Sequence, residues 1–295
     1  MAQGKIKTRF APSPTGELHI GGLRTALFNH LLAKRYGGTF LLRIEDTDQA
    51  RLVKGAADRF MSHLAWAGIV PDEGEGVGGP NGPYTQSLRL EFYREIAHQL
   101  LAQGKAYKVK IKGKRAYAIK VEIPLDCPMF VWKDAVLGEL RISPFTIKDF
   151  VILKSDGFPT YHLASVVDDH LMGITCVMRG MEWIASTPLH LLLYRLLGWE
   201  PPVFGHLPLI LDGDRKKLSK RNGASSVSIY RDNGINPNAM INYLALLGWS
   251  PGNNKELFSM DELRKEFSFK RLRKAPSMFD ERKLRWMNTQ HSRQP

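Results

Sequence analysis

Hydrophobic periodicity in the first 44 residues alternates between the spacing of a strand and that of a helix. Residues 5–11 alternate polar and apolar positions, and residues 12–16 (PSPTG) interrupt that pattern. Apolar residues then recur every three or four positions over 21–34, and 39–44 is again mostly apolar. This pattern predicts strand, loop, helix and strand in that order. Such a unit is the building block of a parallel sheet.

The rest of the chain predicts an insertion in this sheet domain and a helical end. Residues 71–83 are so rich in Gly and Pro that they predict a long surface loop, and helical spacing resumes over 85–101. Alternation with a period of two over 104–148 predicts an antiparallel insertion. The remaining predictions, in chain order, are a buried strand at 150–153 that returns to the sheet domain, helices at 163–172 and 187–197, and mostly helical chain from 226 onward.

Composition and charge narrow the class of protein. The 295 residues are 43% hydrophobic and 24% charged, which is typical of a folded chain of about two domains and excludes a single small binding module. Two windows, 104–122 and 264–274, carry +11 of the net charge of +13. Basic residues grouped in two separate segments predict a surface that contacts nucleic-acid phosphates in two places. The candidate contacts are Lys108, Lys110, Lys112, Arg271 and Arg273.

The cysteines and apolar runs indicate the cellular setting. Cys127 and Cys176 are the only cysteines and lie far apart, so no structural zinc site or redox pair is expected. We therefore expect a reduced, cytoplasmic location. The longest apolar run, 189–199, is broken by Arg195 and is too short to span a membrane. An informative motif begins at Arg9, so we expect no removable targeting segment.

Two motifs are suited to binding phosphate. The run His19-Ile20-Gly21-Gly22 opens a predicted helix, where backbone N–H groups and the helix dipole favour an anion. Its simpler interpretation is a capping turn with a solvent-facing histidine. The second motif, residues 215–221 (RKKLSKR), puts five basic side chains after Asp212-Gly213-Asp214. Lysine suits a polyphosphate, although an isolated basic run is usually a solvated turn.

Five ordered segments resemble the glutamyl-tRNA synthetases. They are residues 9–22 (RFAPSPTGELHIGG), 42–48 (LRIEDTD), 159–170 (PTYHLASVVDDH), 179–183 (RGMEW) and 217–221 (KLSKR). The resemblance implies a class I α/β fold of Rossmann type with a parallel sheet, formed by 1–103 and 149–225. It further implies an inserted α+β acceptor-binding subdomain at 104–148 and a helical stem-contact subdomain at 226–295.

The same resemblance implies the chemistry. Glutamate would be activated by ATP with Mg²⁺ and then transferred to the terminal adenosine of a tRNA, expected to be tRNA(Glu). Residues His19, Gly21 and Gly22 match the first nucleotide signature, and Lys217, Ser219 and Lys220 match the second. His19, Lys217 and Lys220 would act in catalysis. The glutamate pocket would be formed by Arg9, Ser13, Glu45, Tyr161 and Arg179, because a dicarboxylic amino acid needs arginine for its carboxylates and an acid for its ammonium.

The acidic pair Asp168-Asp169, followed by His170, also invites a metal-site interpretation. We expect instead that these aspartates precede a helical run and act as caps and dipole partners, so no metal ligand is assigned. Relative to the family, the insertion is short, and the helical anticodon-binding region of bacterial members is not present in the sequence. The choice of tRNA therefore stays open, and we expect a monomer.

Two other functions stay open. A glutamyl-queuosine tRNA(Asp) synthetase also lacks the anticodon region, but Thr47, Arg221 and the run at 23–29 favour the tRNA-charging branch. A non-catalytic tRNA-binding paralogue would be expected to lose the phosphate-handling residues first, and His19, Lys217 and Lys220 are all present.

Overall fold

The computed structural model describes residues 5–113, 116–218 and 226–293. Its strands are β1 (Lys7–Phe10), β2 (Thr39–Leu42), β3 (Glu73–Gly74), β4 (Ala106–Lys110), β5 (Tyr117–Val121), β6 (Phe130–Asp134), β7 (Gly138–Ile142), β8 (Phe150–Leu153), β9 (Cys176–Gly180), β10 (Val203–Leu207), β11 (Ile210–Leu211) and β12 (Ser277–Met278). Its helices are α1 (Ile20–Arg35), α2 (Ala56–Trp66), α3 (Leu90–Ala102), α4 (Tyr161–Leu171), α5 (Thr187–Leu197), α6 (Val227–Asp232), α7 (Pro237–Leu246), α8 (Met260–Glu266) and α9 (Glu281–Ser292).

The central feature is a five-stranded parallel sheet in the order β10-β9-β1-β2-β3. The first predicted unit is confirmed: β1 and β2 pair in parallel, from Lys7 opposite Thr39 to Phe10 opposite Leu42, with α1 between them in sequence. Strand β1 has β2 on one side and β9 on the other. The direction of winding therefore reverses at β1, which is where α/β sheets form their ligand crevices.

Side chains on the two faces of the sheet enter two hydrophobic clusters. Phe40 and Leu42 of β2 point into a cluster that contains α1, whereas Leu41 points into a cluster that contains α3, α4 and α5. Helices on both faces explain why β2 (TFLL) carries apolar residues on both of its sides rather than alternating. The predicted α/β class is confirmed.

One local prediction was incomplete and one was wrong. The loop 71–83 contributes the edge strand β3, whose Glu73 is buried and accepts hydrogen bonds from Asn81 and Tyr84. Strand β8, expected to return to the parallel sheet, pairs antiparallel with β5 in the three-stranded sheet β4-β5-β8. A buried apolar strand pattern gives no information about its partner, so periodicity alone could not distinguish the two sheets.

The helical C-terminal part packs on the first half of the sheet domain. Helices α7 and α8 both contact α1, and Trp249 and Phe267 are fully buried in the same hydrophobic cluster as Phe28. Strand β12 adds a short parallel pairing with β11, from Ile210 opposite Ser277. This pairing ties the region after β10 to the helical part. Of the helices described, none is both long and apolar enough for a membrane span.

Candidate active site

A cavity of about 450 Å³ opens at the carboxyl ends of the parallel strands. Arg9 lies near the end of β1 and Arg179 near the end of β9, and Glu45 follows β2. Because these strands are adjacent and parallel, their ends meet at one edge of the sheet. The cavity is lined, among others, by nine of the predicted site residues: Arg9, Ser13, His19, Gly21, Gly22, Glu45, Tyr161, Arg179 and Lys217.

His19 is the N-cap residue of helix α1. Its backbone is extended (φ −95°, ψ 160°), and its Nδ1 accepts a hydrogen bond of 2.9 Å from the Gly22 N–H. A neutral ring that accepts at Nδ1 carries its proton on Nε2. A side chain at Gly21 would come within 3.1 Å of the His19 ring, so glycine leaves the ring its position. This turn therefore caps helix α1 and also forms part of the cavity wall.

The glutamate side of the cavity rests on buried charge pairs. The Arg9 Nε lies 3.1 Å from Asp169 Oδ1, and Arg43 bridges Asp169 at 2.8 Å to Glu45 at 3.0 Å. Among the described residues, the two terminal nitrogens of Arg9 form no hydrogen bond. Since Arg9 lines the cavity, these nitrogens are suited to an incoming carboxylate.

Burial and charge act in opposite directions on the two acids. Burial would raise the pKa of Asp169, but Arg9 and Arg43 hold it below its usual range. For Glu45 burial prevails over Arg43 and Arg9, and its pKa is raised. An ammonium group beside Glu45 would favour its charged form, because opposite charges at short range stabilise each other.

The expectation for Asp168 and Asp169 was wrong. Both lie inside the C-terminal half of α4 rather than before a helix, and both are buried. Asp168 accepts hydrogen bonds from Gln86, Arg89 and Tyr93 at 2.8 to 2.9 Å. They are therefore counter-charges for arginines of the core. In the part of the chain that the structure describes, no group of three or more His, Cys, Asp or Glu side chains could hold a metal ion.

Arg179 is buried, with 5% of its surface exposed. Within residues 5–113, 116–218 and 226–293, no carboxylate lies within 4.0 Å of its guanidinium nitrogens. Its five N–H groups donate to neutral acceptors: His206 Nε2, Tyr161 Oη, His190 Nδ1, the Trp183 carbonyl and Thr187 Oγ1. The side chain is held firmly while its positive charge has no adjacent counter-ion.

Tyr161 links Arg179 to the cavity. Its hydroxyl oxygen accepts from Arg179 at 3.0 Å, which leaves the hydroxyl proton to donate elsewhere. Burial raises the pKa of Tyr161, so the phenol stays protonated. Its ring centre lies 4.3 Å from that of Trp183, another residue of the cavity wall, with the two ring planes tilted by 40°. Ser13 lines the same cavity from the loop after β1.

Lys217 lies beyond β11, after a turn built by Asp212. The Asp212 carboxylate accepts backbone N–H groups of Asp214 and Lys216 at 3.0 and 2.9 Å. Lys217 forms an isolated bridge with Leu211, is exposed and lines the cavity. Ser219 and Lys220, the other residues of this predicted nucleotide motif, lie outside the described residues, as does Arg221.

The predicted tRNA contacts lie on exposed surfaces. Lys108 and Lys110 project from β4, Lys112 follows it, and Lys108 Nζ lies 4.4 Å from the centre of the Tyr117 ring. Arg271 is exposed but donates to the Pro251 carbonyl. Arg273 is exposed and lines a second cavity of about 610 Å³ in the helical part.

Sequence reasoning missed the buried groups behind the cavity. Arg43 and Asp169 orient Arg9 and Glu45, while His190 and His206 orient Arg179. A histidine within the apolar strand 203–207 is an unusual feature, but its partners are distant in sequence. Only the tertiary structure identifies them.

Comparisons with known proteins agree with this arrangement. The family model described as "tRNA synthetases class I (E and Q), catalytic domain" matches residues 5–115 and 108–286. The two matches overlap at 108–115, which begins within β4 and ends before β5. A glutamate–tRNA ligase of Chloroherpeton thalassium is 46% identical over 336 aligned residues, covering 99% of this chain and 67% of the relative. One from Acholeplasma laidlawii is 47% identical over 289 residues, covering 97% and 64%.

A solved structure gives the same result. The crystal structure of a glutamate tRNA ligase from Elizabethkingia meningosepticum, in complex with its amino acid, has a TM-score of 0.93 and 39% identity. The match covers 98% of this chain and 70% of that one. The chain thus spans about two thirds of the length of the relatives it matches. The expected class I core of Rossmann type is confirmed.

Proposed function

This chain belongs to the glutamate–tRNA ligases, a family of class I tRNA synthetases, and from this premise we propose that it activates L-glutamate with ATP and transfers the glutamyl group to the 3′-terminal adenosine of tRNA(Glu). The observation that carries the proposal is that the nucleotide and glutamate residues line the same cavity. This cavity is lined by residues of both nucleotide motifs together with all five candidate residues for glutamate.

Chemistry of this kind needs no protein nucleophile. A carboxylate oxygen of glutamate attacks the α-phosphate of ATP, which enters as its Mg²⁺ complex, and pyrophosphate leaves. A ribose hydroxyl of the terminal adenosine then attacks the activated carbonyl and AMP leaves. Positioning and charge stabilisation supply most of the acceleration in such reactions.

The start of α1 and the segment after β11 bind the nucleotide. His19 Nε2–H donates to a phosphate oxygen, and Gly21 and Gly22 allow the nucleotide to approach the backbone. Lys217 neutralises charge that develops on the departing pyrophosphate. Ser219 and Lys220 share this role in our proposal on the basis of the sequence motif alone.

Glutamate recognition depends on compensating charge in a buried site. Arg9 presents its terminal nitrogens to a carboxylate of glutamate. Arg179 attracts the carboxylates through its uncompensated positive charge, and Tyr161 donates its hydroxyl proton to glutamate. Glu45 receives the ammonium group, and Ser13 completes the wall. Glutamine would bring a neutral amide to the same place and leave a buried guanidinium without a counter-ion, which costs several kcal/mol, roughly.

Charging of tRNA requires a basic surface beyond the cavity. Lys108, Lys110 and Lys112 on the insertion and Arg271 and Arg273 on the helical part are exposed and suited to phosphate contacts. We propose that these two surfaces bind the tRNA while its 3′ end enters the cavity.

Charging of total tRNA with labelled glutamate tests the function. We expect label that mild alkali removes and that ribonuclease A releases as glutamyl-adenosine. Label that stays on an internal nucleotide would instead identify a glutamyl-queuosine tRNA(Asp) synthetase. A chain that is folded by circular dichroism and incorporates no label would contradict both enzymes and favour a tRNA-binding paralogue.

A further inference from the structure

His206 and His190 are the two partners of Arg179 whose proton positions decide whether the contact exists. Of these two rings, His206 is the one that contacts a carboxylate. The Arg179 Nε–H donates in every protonation state of the site, so His206 Nε2, 3.1 Å away, must carry no proton. Thr187 Oγ1 lies 3.2 Å from the same nitrogen and can also donate to it. Burial lowers the pKa of His206, which keeps the ring neutral. Because Nε2 accepts from Arg179, a neutral ring carries its proton on Nδ1.

Asp134 lies on the other side of this ring. Its Oδ2 is 2.5 Å from His206 Nδ1, and both side chains are fully buried. Its Oδ1 accepts the backbone N–H groups of Val136, Leu137 and His206 at 3.0, 3.0 and 3.2 Å. One oxygen therefore holds the turn after β6, and the other accepts the Nδ1 proton of His206.

Asp134 belongs to the insertion, not to the sheet that carries Arg179. It ends β6, and the next residue, Ala135, donates its backbone N–H to the Phe204 carbonyl at 2.8 Å. That bond docks the β6–β7 hairpin on β10, two residues before His206. The chain of contacts runs from the insertion through one imidazole to the buried guanidinium.

We propose that Asp134 is a positioning residue for glutamate specificity: it fixes the Nδ1–H tautomer of His206, and this tautomer orients Arg179 without neutralising it. With the proton on Nε2 instead, two donors would face each other and the guanidinium would turn away from its place at the cavity. The role of Arg179 toward glutamate rests on the function proposed above.

The variant Asp134→Asn tests the tautomer without removing the turn. Its carbonyl oxygen can keep the three backbone contacts of Oδ1, which turns its NH₂ group toward His206 Nδ1 and drives the ring proton to Nε2. We expect kcat/KM for glutamate in tRNA-dependent ATP–pyrophosphate exchange to fall by about 10- to 100-fold, because a buried donor loses its acceptor. KM for ATP should change by less than about twofold, since the nucleotide residues are untouched.

A matched control uses Asp149, which lies between the insertion and β8. Asp149 also accepts a backbone N–H, from Ile123, and a side-chain hydroxyl, from Tyr107, but it lies outside the cavity. Asp149→Asn should leave KM for glutamate unchanged. An equal loss in both variants would overturn the proposal, because it would indicate a general effect on the insertion.

The variant His206→Gln replaces the histidine with a side chain that has no tautomers. Its Oε1 can accept from Arg179 Nε–H without any help from residue 134. In this background Asp134→Asn should cause no further loss in kcat/KM for glutamate. Additive losses would overturn the proposal, since independent effects add and effects through one shared contact do not.

The tautomer of His206 can be measured directly, without an activity assay. In ¹⁵N-histidine-labelled protein, the His206 ring is identified by its absence in His206→Gln, and we expect its proton on Nδ1. In Asp134→Asn the proton should move to Nε2. A wild-type ring protonated on Nε2 would overturn the proposal, whereas missing exchange activity in the wild type would contradict the proposed function alone.

Discussion

His19 Nδ1 accepts the Gly22 N–H at 2.9 Å, so one histidine ring both caps helix α1 and forms part of the cavity wall. The two interpretations of this motif, a helix cap and a phosphate ligand, are therefore compatible. Each uses a different ring nitrogen. Substitutions that keep only one nitrogen's function can separate them.

For His19 we expect the cap and the catalytic role to respond to different substitutions. His19→Asn retains an N-cap acceptor for Gly22 but has no donor at the position of Nε2, so stability should stay near wild type while adenylate formation falls about 100-fold or more. His19→Ala should lose activity and also about 1 kcal/mol of stability. Urea unfolding and pyrophosphate exchange measure the two effects. Full activity in His19→Asn would contradict the phosphate role.

Arg179→Gln should act on glutamate and not on the nucleotide. Removing a buried charge that a substrate carboxylate would pair with should raise KM for glutamate about 100-fold or more. KM for ATP should stay within about twofold of wild type. Arg195→Gln is the matched control, because Arg195 is exposed and does not line the cavity. Equal effects on both substrates would argue against a specificity role.

Lys217→Ala should slow the chemical step more than it weakens nucleotide binding. The charge on pyrophosphate grows as it leaves, so a lysine at this place stabilises the transition state more than bound ATP. We expect the rate of adenylate formation to drop about tenfold or more with a small change in KM for ATP. Lys216→Ala serves as control, since Lys216 is exposed but does not line the cavity. Equal losses in the rate of adenylate formation and in ATP affinity would mean that Lys217 only binds the nucleotide.

Binding of tRNA should depend on salt through the exposed lysines of β4. Lys108→Ala combined with Lys110→Ala should lower the slope of log affinity against log salt by about two, because each phosphate contact contributes about 0.9. KM for glutamate should not change. The pair Arg35→Ala and Lys54→Ala removes two exposed charges elsewhere and should leave the slope intact. An unaltered slope in the β4 variant would mean that this hairpin is merely solvated.

Acid should destabilise the chain through His30. Burial, with Arg264 and Lys34, lowers the pKa of this buried ring to about 3. The unfolded chain takes up a proton below about pH 6.5 and the folded chain does not, so stability is lost as pH falls from 6.5 toward 3. Between pH 7.5 and 5 this site should contribute a loss of about 2 kcal/mol.

The variant His30→Gln isolates that contribution. Glutamine can still accept from Arg264, which now bonds His30 Nε2 at 3.1 and 3.3 Å, but it does not titrate. Urea unfolding at the two pH values should therefore show a smaller difference in the variant than in wild type. Identical differences in both proteins would exclude His30 as the source.

Much of the fold near the site follows from local patterns. Residues 5–44 have two strand periods and a helical period in the order that a parallel unit needs, and the β1–β2 register agrees. Because strand ends meet at one edge, Arg9 and Glu45 were bound to lie close once that unit formed. The family resemblance added Arg179 and Lys217, which are distant in sequence.

What the sequence could not reveal was partnership between distant residues. β8 has an apolar pattern that fits either sheet, and only its register with β5 decides. Asp168 and Asp169 were expected to be caps because their arginine partners lie about 80 to 160 positions away. Hydrogen bonds of this kind depend on tertiary packing, which periodicity does not encode.

The most direct test of the account is tRNA-dependent ATP–pyrophosphate exchange with glutamate and glutamine compared in the same purified chain. A cavity that sets uncompensated arginine charge beside the nucleotide residues predicts exchange with glutamate and at least about 100-fold less with glutamine. Equal exchange with the two amino acids, or none with glutamate in folded protein, would contradict it.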